Sequence, residues 1–218
     1  MKVSYKFILT FLLILQSCSG SPEKVESVIQ EDDLDLQMMS AYRSGVKALE
    51  KGDVYYAAKK FNEAELLYPQ SEWASKAILM AAYGYYGQAY YSSASEELDR
   101  FIKKYPKDPN LDYAYYLLAM CHYESIVDEK KDLKPLLQAK ESFNLVINKF
   151  PLTDFALDAK YKLDLINDLL AAKEMYIARH YIKKEKWIAA INRLKVIVDQ
   201  YNTTIYIEEA LHRLVEIH

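Results

Sequence analysis

From about residue 38 onward, apolar residues return at i, i+3, i+4 and i+7 in stretches of about 14, separated by breakers or short polar runs such as KGD at 51–53. That spacing predicts helices with one buried stripe each. The stretches also keep register over long distances. Ala57, Ala94, Ala139 and Ala190 are separated by 37, 45 and 51 residues, and the same offsets link Phe61, Leu98, Phe143 and Leu194, then Tyr68, Tyr105, Phe150 and Tyr201. Pro69, Pro106 and Pro151 follow the same register until Asn202 breaks it. Columns of this kind mark an internal repeat. Small residues Gly45, Ala82 and Ala119, 37 apart, fall where two helices of one repeat would cross. Each repeat is therefore predicted to be a helix pair, ended by a proline that cannot continue the hydrogen-bond ladder. Ser71, Asp108 followed by Pro109, and Thr153 are expected to cap the next helix. The chain reads as all-α.

Two periods are irregular. Eight extra residues fall in VDEKKDLKP (127–135), and fourteen more separate Pro151 from Ala178 than earlier repeats require. Fourteen residues make almost four turns at about 3.6 per turn, so one long helix is predicted from about 154 to 184. A last helix, 205–218, would begin a fifth repeat, with Leu211, Leu214, Val215 and Ile217 forming an imperfect apolar cap. The small, Ala, aromatic-or-Leu and Pro columns resemble the tetratricopeptide repeat. The implied fold is a solenoid of helical hairpins with about four full repeats (38–70, 71–107, 108–152, 153–202) and a partial fifth, 203–218.

The beginning of the chain follows another logic. Lys2 and Lys6 precede the apolar run Phe7 to Leu15, which falls short of the ~20 residues that cross a bilayer but suits a secretory signal over 1–17. Leu15, Ser17 and Cys18 resemble the bacterial lipobox, with Gln16 as a departure. The resemblance implies cleavage before Cys18 and a diacylglyceryl group on its thiol. A buried structural role for Cys18 would need apolar surroundings, and SGSPEKVESVIQEDDLD supplies none. Residues 18–37 accordingly read as a flexible tether.

Composition narrows the function. A formal charge of -3 gives no general nucleic-acid footprint. The five glycines form neither GxGxxG nor GxxxxGK, and GxSxG is missing, so no phosphate loop or nucleophile elbow is available. His122, His180, His212 and His218 share no ligand spacing with one another or with Cys121; no metal and no cofactor is expected. Cys121 reads as a small core residue. Glu96, Glu97 and Asp99, running into Arg100, Lys103 and Lys104, read as a solvated face. No enzymatic constellation emerges. Tyrosine is abundant, at twenty against seven phenylalanines. Tyr42, Tyr83, Tyr86, Tyr116 and Tyr123 fall on first helices, at positions that face the concave groove of such arrays, where aromatic rings with a polar tip hold extended or amphipathic peptides. Any one of them also suits packing between repeats.

Three stretches carry a closer likeness: YPQSEWASKAILMAAYGYY (68–86), DPNLDYAYYLLAM (108–120) and ARHYIKKEKWIAAINRLKVIVDQY (178–201). They resemble the BamD family, the lipoprotein subunit of the bacterial outer-membrane β-barrel assembly machinery, and the likeness runs from about Tyr42 to His218. The Thr203-Thr204 pair and EEALHRLVE (208–216) resemble its alphaproteobacterial members. The family implies a scaffold anchored through Cys18 in the inner leaflet of the outer membrane, facing the periplasm. It also implies docking on the POTRA domains of BamA beside other subunits, and N-terminal repeats that engage the C-terminal targeting segment of unfolded barrel proteins. Trp187, Asn192 and Arg193 match the family's W-x-A-x-x-N-R pattern, which implies that Arg193 meets an acidic group of BamA through a bidentate guanidinium. By itself, Arg193 reads equally well as an exposed cation. The alternative is another repeat lipoprotein, such as a pilotin that escorts a secretin, which would lack the 108–120 and 178–201 stretches. A helical lytic transglycosylase would need a compact catalytic domain with a buried glutamate, and no part of the chain is left for one.

Overall fold

The computed structural model describes residues 31–126 and 133–217. The signal segment, Cys18, residues 18–30 of the tether, most of the VDEKKDLKP insertion and His218 lie outside these residues. Among the described residues are nine helices and no strand: α1 (Glu31–Glu50), α2 (Val54–Leu67), α3 (Glu72–Gly87), α4 (Tyr91–Lys104), α5 (Leu111–Glu124), α6 (Lys134–Lys149), α7 (Asp154–Lys183), α8 (Trp187–Gln200) and α9 (Ile207–Ile217). Each packs chiefly on its successor, and α5 also touches α7. The result is an all-α series of helical hairpins, α1/α2, α3/α4, α5/α6 and α7/α8, followed by α9.

The sequence columns form the core. Ala57, Ala94, Ala139 and Ala190, with Phe61, Leu98, Phe143 and Leu194, are all fully buried on the second helices. Alanine at the crossing lets the backbones approach, and the larger residue one turn later fills the space between successive pairs. Gly45 shows how close the approach is: a Cβ there would lie 2.8 to 3.0 Å from the Phe61 ring.

The connections repeat as faithfully as the core. Tyr68, Tyr105, Phe150 and Tyr201 each end a second helix in one non-helical conformation, with φ from -142 to -122° and ψ from 37 to 75°. Each donates its N–H to the carbonyl four residues back, on Ala64, Phe101, Val146 and Ile197. Proline after the first three disfavours helix at the preceding residue. Tyr201 adopts the same cap before Asn202, and Thr204 completes the turn by donating its hydroxyl to the Tyr201 carbonyl at 2.7 Å. Within the first, second and fourth hairpins the turn is a Schellman motif. Asp53, Tyr90 and Lys186 donate to the carbonyls of Ala48, Tyr85 and Tyr181, while Gly52, Ala89 and Glu185 hold φ of 78, 61 and 58°.

Ser71 and Thr153 cap α3 and α7, accepting from the N–H groups of Trp73 and Ala156. Three boundaries differ from expectation. α5 begins at Leu111, because Asp108 spends its carboxylate on an Asx turn, accepting from the Asn110 N–H at 2.8 Å. The last helix begins at Ile207, leaving Ile205 exposed before it. α1 takes in residues 31–37, assigned above to the tether, because Leu34, Met38 and Ala41 form a helical stripe that is half-buried or buried. α7 matches the predicted long helix and is roughly 45 Å long at 1.5 Å per residue.

Of the charges around Arg100, Glu96, Asp99, Lys103 and Lys104 are exposed, as a solvated face requires, whereas Glu97 and Arg100 are half-buried and turn toward α2. Glu65 on α2 is 1 % exposed and lies between α2 and α4. It accepts from Arg100 Nη1 at 2.8 Å, from Lys104 Nζ, and from the Tyr105 hydroxyl at 3.3 Å. Arg100 also donates through Nε to Glu97 at 3.0 Å and through Nη2 to Asn62, which donates to Glu97 at 3.1 Å. Burial pushes the Glu65 carboxyl up, but Lys104 and Arg100 outweigh it and hold the group below the usual carboxylate range.

Candidate binding groove and partner face

The first helices α1, α3 and α5 line an aromatic groove made of two open clefts that share Tyr42. Tyr42 sits at its centre, edge-on to Phe61 at 5.3 Å and to Trp73 at 5.2 Å between ring centroids. On one side of Tyr42 an open cleft of about 390 Å³ is lined by Met39, Arg43, Val46, Lys47, Glu50 and Trp73. On the other, a cleft of about 410 Å³ is lined by Lys76, Leu79, Met80, Tyr83, Asn110 and Tyr113. Lys76 Nζ lies 4.7 Å from the Trp73 ring centre, a cation–π contact that leaves the ammonium at the groove wall.

The five predicted groove tyrosines divide. Tyr83 is 53 % exposed and presents its ring to the second cleft. Tyr42 lines both clefts but spends much of its surface on Phe61 and Trp73. Tyr86 packs on Tyr91 at 5.8 Å. Tyr116 stacks on Phe155 at 5.1 Å and donates its hydroxyl to Asp158 at 2.6 Å, so α5 is tied to α7; burial and that carboxylate push its pKa far up. Tyr123 meets Phe143 at 6.1 Å and carries Lys162 over its other surface. These three serve chiefly as mortar between repeats.

Trp73, Met80 and Tyr113 were not singled out from the sequence. Helical spacing contained the signal: Lys76, Met80 and Tyr83 share one face of α3, and Tyr113 lies one turn before Tyr116 on α5. Burial pushes the Tyr113 hydroxyl up to about 12.

Trp187 and Asn192 come together at the start of α8, in an open cleft of about 520 Å³ lined also by Glu185, Lys186, Ile188 and Ala189. Arg193 is not in that cleft. Its Nη1 donates to both oxygens of Glu174 on α7, at 3.1 and 3.5 Å. The sequence pattern therefore splits into an exposed apolar-and-amide cleft and an arginine already engaged through one nitrogen.

No helix among the described residues is long and apolar enough to cross a membrane, and no group of three His, Cys, Asp or Glu among them is arranged to hold a metal ion.

Residues 34–218 match the YfiO family, described as "Outer membrane lipoprotein". The chain is 39% identical over 199 residues to the outer membrane protein assembly factor BamD of Caulobacter vibrioides, covering 91% of this chain and 64% of that relative. It is 38% identical over 211 residues to the assembly factor of the same name from Rickettsia prowazekii, covering 97% and 82%. The Neisseria gonorrhoeae assembly factor is 30% identical, with 91% and 78% covered. The chain thus spans just under two thirds of the Caulobacter relative and about four fifths of the Rickettsia relative.

Proposed function

The chain belongs to the BamD (YfiO) family of outer membrane lipoproteins, and on that footing we propose that it is a non-catalytic scaffold subunit of the outer-membrane β-barrel assembly complex. Its sulfur at Cys18 carries the lipid that holds it in the inner leaflet, with the helical array facing the periplasm. The groove from Trp73 to Tyr113 receives the C-terminal targeting segment of an unfolded barrel protein. The face of α8 bearing Trp187 and Asn192, with Arg193 beside it, docks on the POTRA domains of BamA.

The observation that carries the groove assignment is its lining. Met39, Val46, Trp73, Met80, Tyr83 and Tyr113 offer apolar surface with few fixed polar partners, which suits an extended, aromatic-rich peptide whose exact sequence varies between clients. Arg193 Nη1 already serves Glu174, so an acidic group of the partner would be met by the remaining guanidinium edge or by displacing Glu174.

The test is calorimetric titration of a peptide copying the last strand of a barrel protein. Tyr83→Ala is expected to weaken binding about tenfold or more, the worth of one exposed aromatic anchor, while Tyr123→Phe leaves it unchanged; equal affinity for wild type and Tyr83→Ala removes the groove reading. Co-purification from solubilised membrane tests docking separately. Arg193→Glu is expected to lose BamA and Glu174→Gln to retain it.

A further inference from the structure

The turn joining α7 to α8 carries a set of side chains that neither the core columns nor the groove requires. Between Arg179 and Lys186 the chain places Arg179, Lys183, Lys184 and Lys186 against a single acid, Glu185, in a protein whose formal charge is -3. Arg179 is held by Glu209. Among the described residues no ion pair engages Lys183, Lys184 or Lys186, and all three are exposed.

Apolar surface stands among these cations. Tyr176 is 74 % exposed and Ile188 78 % exposed. Repeat geometry does not force this. Tyr55, Ser92 and Leu137 occupy the Ile188 position in earlier repeats, so the register accepts a serine there. On one flank an open cleft of about 420 Å³ is lined by Tyr176, Arg179, His180, Ile182, Lys183 and Arg213. On the other lies the Trp187–Asn192 cleft. Long cationic side chains around a protruding aromatic and a branched aliphatic are the chemistry of an interfacial contact: the ammonium groups stay at the level of anionic headgroups while the apolar groups enter the acyl boundary.

We propose that the α7–α8 tip is a membrane-contact site for anionic phospholipid, with Lys183, Lys184 and Lys186 as the electrostatic element and Tyr176 and Ile188 as the inserted element. The charge complementarity is local, because the rest of the chain is acidic and would be repelled by such a surface. Lys186 and Ile188 also line the Trp187–Asn192 cleft, so the tip lies at the edge of the proposed partner face, and the site needs only that the chain work beside a membrane. It would fix the orientation of the array relative to the bilayer, which a lipid on Cys18 alone does not set.

The experiment is co-sedimentation of the chain from residue 18 onward carrying Cys18→Ser, so that neither the apolar 7–15 run nor an acyl group contributes, with vesicles of phosphatidylglycerol and phosphatidylcholine and with phosphatidylcholine vesicles alone. Binding is expected only with the anionic lipid and is expected to weaken steeply in 0.5 M salt, where charge attraction is screened within about 4 Å. At about 1 kcal/mol for each lysine near such a surface, Lys183→Gln, Lys184→Gln and Lys186→Gln together should lower the partition coefficient roughly hundredfold. Ile188→Ser should lower it about tenfold, and Glu185→Gln should raise it. All five positions are exposed, so unchanged circular dichroism melts accompany these shifts. Equal sedimentation with both vesicle types, or no effect of the triple substitution, overturns the proposal. Retained vesicle binding by the triple variant with loss of BamA on co-purification overturns it as well and makes the tip a protein interface.

Discussion

Replacing Glu65 with Gln keeps the shape of the side chain and removes its charge, at a site where α2 and α4 are otherwise tied by Asn62, which bonds Glu97 and Arg100. Three donors now converge on two carboxylate oxygens: Arg100 at 2.8 Å, Lys104, and Tyr105 at 3.3 Å. The amide nitrogen of Gln would face donors, so at least one buried contact becomes donor against donor. Breaking a buried ion pair costs about 3–5 kcal/mol when the remaining charge is trapped. Here it is not fully trapped, since Arg100 keeps Glu97 at 3.0 and 2.5 Å and the Lys104 side chain is 43% exposed. The expected loss is therefore about 2–3 kcal/mol, or roughly 5–10 °C in melting temperature for a chain of this length. Acid dependence supplies a second readout. The Glu65 carboxyl is held below its ordinary value, so its contribution is complete above the unfolded carboxylate pKa of about 4.3 and disappears as pH falls through the depressed folded value. Urea unfolding of wild type and Glu65→Gln should differ most near pH 7 and converge toward pH 3. A difference below about 0.5 kcal/mol at pH 7, or one that stays constant to pH 3, would refute the role given to this cluster.

Two further predictions concern the backbone. Gly45→Ala should destabilise by about 1–2 kcal/mol, because crowding against the buried Phe61 ring exceeds the helix-propensity gain of about 1 kcal/mol; Gly84→Ala, which meets only the rotatable end of Leu49, should stay within about 0.5 kcal/mol in the same unfolding measurement. Ala89→Gly and Glu185→Gly should each stabilise by about 0.5–1 kcal/mol, since both residues hold positive φ in a turn where Gly52 does so without a Cβ; a lower urea midpoint for either would contradict this account of the turns.

Much of the array was legible because its columns encode one physical fact, burial, four times over. Ala57 and Phe61 could be core by chance; their counterparts at 94 and 98, 139 and 143, 190 and 194 could not. The fourteen-residue excess before Ala178 likewise translated directly into a long helix, because almost whole turns preserve the apolar face. Other features were hidden because they depend on distance rather than period. Glu65 reads as one acid among many until Arg100 and Lys104, 35 and 39 residues later, are brought beside it by the repeat. Asp108 carries the composition of a cap, yet its carboxylate closes an Asx turn before the helix begins. Among the tyrosines, position in the repeat predicted the face but not the occupant of the space opposite: Phe155 claims Tyr116, Tyr91 claims Tyr86, and Tyr83 faces open cleft beside the part of Tyr42 that Phe61 and Trp73 leave uncovered. The Trp187–Arg193 pattern fared similarly. Glu174, on a different helix, could not be paired with Arg193 without the α7/α8 crossing.

Nearest-neighbour contact between helices has a kinetic consequence. Nearly every interaction joins segments within two helices of each other, so little loop-closure entropy stands before the first stable hairpin, and assembly can start at any pair and spread outward. A chain of this design would be expected to reach its shape quickly after export. It would also fray from its ends while the middle persists, as hydrogen exchange resolved helix by helix would reveal.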